Sequence, residues 1–134
     1  MEERMNRNRT ALITISLIVG LVLSLASCAN NTPGSVTLRF MQALSTMDFD
    51  TAASLGTDST KQLVEMISTI AASAGEAGIQ EQIGTNFKVI STSITGETAT
   101  VILSSDGEEQ PIALRKVNGQ WKVDLSKDNM DKDF

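Results

Sequence analysis

The sequence contains no histidine, no tyrosine and a single cysteine, Cys28. Without a second cysteine no intrachain disulfide can form, so core packing has to hold the domain together. The absence of histidine and tyrosine leaves carboxylates as the main candidates for acid-base work, and none stands on an expected buried face beside an evident partner. An enzyme is therefore not expected. Basic residues are in the minority, with a formal net charge of −5, which makes the chain a poor binder of nucleic acid. Aromatic residues are only 4% of the chain, and Trp121 is the one tryptophan. Long apolar runs are confined to one place, near the beginning.

There Arg4, Arg7 and Arg9 precede an uncharged run from Thr10 to Ala29 rich in Leu, Ile and Val, the basic-then-apolar order of an export signal. As a helix, Ala11 to Ala26 would span about 24 Å at ~1.5 Å per residue, short of a hydrocarbon layer of ~30 Å. The run closes on Leu25, Ala26 and Ser27, and the sole cysteine follows. This order resembles the bacterial lipoprotein signal, with Leu25, Ala26 and Ser27 as the peptidase recognition residues and Cys28 as the lipid acceptor. The resemblance implies a thioether-linked diacylglyceryl group on Cys28, cleavage before it, and acylation, as with palmitate, of the new amino group. Two or three chains hold a protein to a membrane where a single one does not.

Two other readings of this stretch stay open. One is an uncleaved signal anchor with Cys28 a bystander; the other is plain secretion after Ala29, since Ser27 and Ala29 satisfy the small-residue rule. On the lipoprotein reading the chain divides into a signal peptide over 1–27, a lipidated tether over 28–32, a domain over 33–126 and a polar tail over 127–134. Cleavage would leave 8 basic and 14 acidic side chains, a surface repelled by anionic headgroups and held to the membrane by lipid alone. Ala29 is not the aspartate that retains some lipoproteins at the inner membrane, so the outer membrane facing the periplasm is the favoured location within the envelope.

The domain begins with Thr32-Pro33, a hydroxyl cap followed by a residue suited to a first helical turn. Val36, Phe40, Leu44 and Met47 recur at helical spacing, with Ser35, Arg39, Gln42 and Thr46 on the other side. Asp48 caps a short second helix through Ala52 and Leu55 that ends at Gly56. Thr57 or Asp58 opens a third, with Leu63, Ile67, Ile70 and Ala74 as its expected buried line and Gly75 and Gly78 as its stop. Gly75 to Gly84 reads as a loop or one helical turn.

From Asn86 the apolar period changes from 3.6 to 2. A turn at Gly96-Glu97 sets Ile94 opposite Ala99, Thr92 opposite Val101 and Ile90 opposite Leu103. A turn at Asn118-Gly119 sets Lys116 opposite Trp121, Leu114 opposite Val123 and Ile112 opposite Leu125. Asp106 to Gln110 reads as the connection, with Pro111 first in its strand. The expectation is an α+β fold, helices packed on one face of a curved four-stranded antiparallel sheet.

Several stretches also resemble a known group: Phe40 with Ala43 and Leu44, Met47-Asp48-Phe49 leading to Ala52 and Leu55, and the run from Leu114 to Asp124. Together they resemble an uncharacterised lipoprotein branch of the nuclear transport factor 2-like superfamily, which has a cystatin-like fold. The resemblance implies a sheet wrapped on helices, often with a pocket in its concavity and often a homodimer. Enzymes of the superfamily place Asp, His or Tyr in that pocket, and no His or Tyr here can take that role.

Phe40, Leu44, Ile67 and Trp121 are the candidate lining of an apolar pocket, with core packing the competing reading for Trp121 and for Met41, Met47 and Met66. Asp124, Asp128, Asp131 and Asp133 could in principle chelate calcium, but they lack the glycine and terminal glutamate of a calcium loop. No metal or cofactor site is expected. The functional expectation is a lipid-anchored domain of unknown molecular activity that binds a protein or a small apolar ligand. The alternatives are an assembly subunit docking through a sheet edge and a degenerate enzyme of the superfamily.

Overall fold

A computed structural model describes residues 31–126. The expected lipid acceptor Cys28, its recognition residues Leu25, Ala26 and Ser27, and the tail over 127–134 lie outside the described residues. Four helices precede four strands: α1 (Pro33–Ser45), α2 (Phe49–Ser54), α3 (Asp58–Ala74) and α4 (Glu76–Ile83), then β1 (Phe87–Thr95), β2 (Thr98–Ser105), β3 (Glu108–Val117) and β4 (Gln120–Val123). The strands form one antiparallel meander in the order β1-β2-β3-β4, so the helices-then-sheet α+β architecture expected from the sequence is the one observed.

Local chemistry sets the helix starts. Thr32 and Ser35 form a reciprocal capping box at α1, Asp48 accepts from the Thr51 N–H at α2, and Thr57 accepts from the Thr60 N–H at α3. The Gly75–Gly84 stretch resolves into a helix, α4, that buries none of its residues fully. The face of α3 differs from expectation. Its buried residues are Thr60, Val64 and Ala71, while Ile70 is 47% exposed. The helix is turned about one residue from the Leu63, Ile67, Ile70, Ala74 line because its start is tethered to β4, as described below.

Within the sheet, Ile94 faces Ala99 and Thr92 faces Val101 as expected, but Val89 rather than Ile90 faces Leu103. Ile90 is the extra residue of a bulge, which leaves it exposed and shifts the alternation by one. β3 starts at Glu108, three residues before Pro111, because Asp106 and Gly107 make a tight turn with both residues at positive φ. Pro111 pairs with Ile102 inside the strand. Its missing N–H lies on the side where the Ala113 carbonyl accepts from Asp124, and there β4 has already ended, so no ladder bond is lost. For the same reason Ile112 has no strand partner at Leu125; pairing of β3 with β4 stops at Leu114 and Val123.

The core lies between α1 and the sheet. Val36, Phe40 and Leu44 pack with Val101, Leu103, Leu114, Trp121 and Val123, all of them buried. Full burial of a side chain such as Phe40 stabilises by about 1.5–3 kcal/mol. The outer edge of β4 is covered: the Thr57 N–H donates to the Val123 carbonyl (2.9 Å) and the Val123 N–H to the Leu55 carbonyl (2.9 Å), so Leu55 to Thr57 run beside β4 like a short parallel strand.

Candidate functional site

The side of the sheet that faces the helices is filled by the core, so the four candidate pocket residues do not come together around a cavity there. Phe40 and Trp121 are buried, 1% and 7% exposed, within that core. The Lys116 ammonium lies over the Trp121 ring, 5.5 Å from its centroid, and adds a cation-π attraction. Leu44 belongs to the same core and also reaches, with Ile67, the wall of a groove between the helices.

That groove, of about 300 Å³, is lined by Leu44, Ile67, Ile70, Ile79, Gln82 and Ile83. Three helices build it. α1 contributes Leu44 from the end of its core stripe; α3 contributes Ile67 and Ile70 because the rotation of its buried face leaves them half out; α4 closes the side with Ile79 and Ile83. α4 is held there by Ile83 against the core and by the Gln80 amide donating to the Ser45 carbonyl at 3.2 Å. The groove is open and almost wholly aliphatic. The three methionines take different surroundings: Met41 is buried, Met47 half-buried with φ of 60°, and Met66 is 54% exposed on α3. Of the six wall residues the sequence points to Leu44 and Ile67 as pocket lining and to Ile70 only as part of the buried line of α3; Ile79, Gln82 and Ile83 fall in the Gly75–Gly84 stretch, whose two isoleucines were the signal for them.

Asp124 is buried although its side of the β3-β4 hairpin carries Arg115, Lys122 and Gln120. It is 4% exposed, with its carboxylate 3.3 Å from the Arg115 guanidinium and accepting from the Thr57 hydroxyl at 3.3 Å. The neighbouring Thr60 side chain is fully buried, donating to the Val123 carbonyl (2.8 Å) and accepting from the Leu125 N–H (2.8 Å). These links join the start of α3 to the end of β4. They account for the burial of Asp124 as a structural connection, with a cation and a hydroxyl already on the carboxylate.

At the other end of the sheet, Asp106 accepts from the Asn86 amide (2.9 Å) and the Thr85 N–H (3.2 Å), tying the β2-β3 turn to the segment that enters β1. These two bonds, that from Asn86 the stronger, hold the Asp106 carboxyl below the usual carboxylate range. Hydrogen bonds from Thr51 do the same for Asp48. Glu108 and Glu109, expected in a turn, are the first residues of β3 and flank an open polar hollow together with Glu81. Among the described residues no group of three or more His, Cys, Asp or Glu is placed to hold a metal ion. Among them, too, no helix is long and apolar enough to cross a membrane.

No family model matches the chain and no curated protein matches it. Among solved structures the chain is similar to one from Campylobacter jejuni described, provisionally, as a nuclear transport factor 2-like (NTF2-like) transpeptidase. The two share 16% identity over 65% of this chain and 92% of that one, with a TM-score of 0.45. A likeness at that level transfers no residue role and no activity.

Proposed function

We propose that the chain is a bacterial envelope lipoprotein, anchored by lipid on Cys28 and facing the periplasm from the outer membrane, whose domain is a non-catalytic module that binds a protein partner. The observation that carries the binding reading is the aliphatic groove between α1, α3 and α4. An open trough of about 300 Å³ cannot enclose a small molecule on most sides, whereas it suits two or three apolar side chains of a partner segment. Exposed Ile70, and Met66 one turn before it on α3, extend the same apolar surface. The non-catalytic reading is supported by the filled sheet face and by the engagement of Asp124 with Arg115 and Thr57.

The test is native mass spectrometry of the full-length protein extracted from its own membranes in mild detergent, for the natural chain, Ile70→Asp and Glu65→Ala. The expected spectrum shows a chain beginning at Cys28 with added diacylglyceryl and acyl mass and a bound protein, which Ile70→Asp loses and Glu65→Ala keeps. A small bound molecule in place of a protein overturns the choice of partner. An intact, unmodified chain overturns the lipoprotein reading.

A further inference from the structure

The start of α1 and two of the exposed apolar residues, Ile90 and Ile94, meet at β1. Gly34, in the first turn of α1, packs on the helix-facing side of β1 between Val89 and Thr92; a Cβ there would lie 3.7 Å from either side chain. Ile94 is the next residue on that same side of the strand, beyond the end of the helix, and it is 56% exposed. Ile90, turned out by the bulge, is 46% exposed. Neither β1 nor β2 contains an aspartate or glutamate, and β1 carries one cation, Lys88. Glu97 stands in the turn that joins the two strands; Asp106, Glu108 and Glu109 flank the turn at the opposite end of β2, where Asp106 bonds to Asn86 just before β1.

From these juxtapositions we infer that the outer edge of β1, with Ile90 and Ile94, is the surface that lies against the lipid bilayer. The inference rests on the lipidation of Cys28 proposed above. Five residues, Cys28 to Thr32, separate the lipid from α1, and even fully extended they reach no further than about 18 Å. A domain on so short a tether cannot turn an arbitrary face to the membrane. The face beside the tether is β1, and it is the one suited to the interface: two isoleucines, hydroxyl side chains, a lysine, and within the strand no carboxylate for anionic headgroups to repel, Glu97 lying in the turn beyond it. The covered edge of β4 is thereby left on the periplasmic side together with the Leu55–Thr57 segment.

The lipidated protein has its Cys28 sulfur alkylated, so an introduced cysteine is its one reactive thiol. Ile90→Cys, Ile94→Cys and, as the distant control, Glu108→Cys are each labelled with an environment-sensitive fluorophore. Each is then incorporated in vesicles of phosphatidylethanolamine and phosphatidylglycerol containing a nitroxide-bearing phospholipid. All three positions are exposed, so folding should survive, and circular dichroism checks it. The expected result is severalfold stronger quenching at residues 90 and 94 than at 108. Equal quenching at the three, or none at 90 and 94, overturns the orientation. The mass of the same samples separates the two failures: lipid on Cys28 without quenching at 90 and 94 sinks the orientation alone, while unmodified Cys28 sinks the anchor and the orientation with it.

Discussion

The replacement of Thr60 by valine tests the account of how α3 is fastened to the sheet. Threonine and valine have nearly the same shape, so the substitution removes the hydroxyl and leaves the packing. The hydroxyl donates to the Val123 carbonyl and accepts from the Leu125 N–H, each at 2.8 Å, at a site with no solvent exposure. The Val123 carbonyl keeps a second donor, the Thr57 N–H at 2.9 Å. The Leu125 N–H loses the partner the hydroxyl supplied. A donor stranded in a half-buried place costs about 1–3 kcal/mol, and the lost bond to Val123 adds about 0.5–1.5 kcal/mol, so Thr60→Val should destabilise by roughly 2–3 kcal/mol. For a domain of this size that lowers the melting temperature by roughly 10–20 °C. Thr60→Ser keeps both bonds and removes one methyl, which should cost no more than about 1 kcal/mol. Urea denaturation followed through Trp121, the single tryptophan and a core residue, reads both. A valine variant as stable as the natural chain, or a serine variant weaker than the valine one, would refute the reasoning, since packing and not hydrogen bonding would then hold the joint.

Gly56→Ala probes the same joint by crowding: an added Cβ would lie 2.6 Å from Thr60 Cγ2 and 2.7 Å from its Cβ, so a loss of about 1–3 kcal/mol is expected in the same urea assay. Lys116→Ala should have a small effect on stability, about 0.5–1 kcal/mol, yet shift the Trp121 emission, because an exposed cation-π contact is weak but lies directly on the chromophore. Hydrogen bonding lowers the folded pKa of Asp106, so its contribution to stability is present in full above its unfolded pKa and fades as pH falls through the folded value. The protection of the Thr85 amide, relative to its intrinsic exchange rate at each pH, should therefore fall in acid below about pH 4, where the unfolded carboxylate would itself protonate, and Asp106→Ala should remove that acid dependence.

The elements that were legible in the sequence are those decided within a few residues. Thr32, Asp48 and Thr57 cap their helices by accepting from the N–H groups three residues on, and Asn118-Gly119 supplies the positive φ values of a tight hairpin. Asp106-Gly107 is a signal of the same kind. It was obscured by Pro111, which reads as the start of a strand and is tolerated in the middle of β3 only because β4 is too short to reach it. The bulge at Ile90 left no local mark, since alternation of apolar and polar residues does not say which residue of a pair is the extra one. The groove was half visible: helical spacing identifies Leu44 and Ile67 as apolar positions, but whether such positions close a core or line an open wall depends on what packs opposite them.

The amino-acid order by itself determined the class of the fold, the caps, the pairing of most strand residues and the expectation of a lipid on Cys28. Each of those follows from neighbours along the chain or across a two-residue turn. Only the tertiary structure decided which face of α3 is inside. Its longer aliphatic residues, Leu63, Ile67 and Ile70, would claim the core on hydrophobicity alone. Thr60, with Val64 and Ala71, is buried instead because its hydroxyl finds partners on Val123 and Leu125, more than sixty positions away. A buried hydroxyl is tolerated only where it is satisfied, and no local pattern announces a satisfaction that arrives from the far end of the chain. The isoleucines displaced by that choice, Ile67 and Ile70, form one wall of the groove.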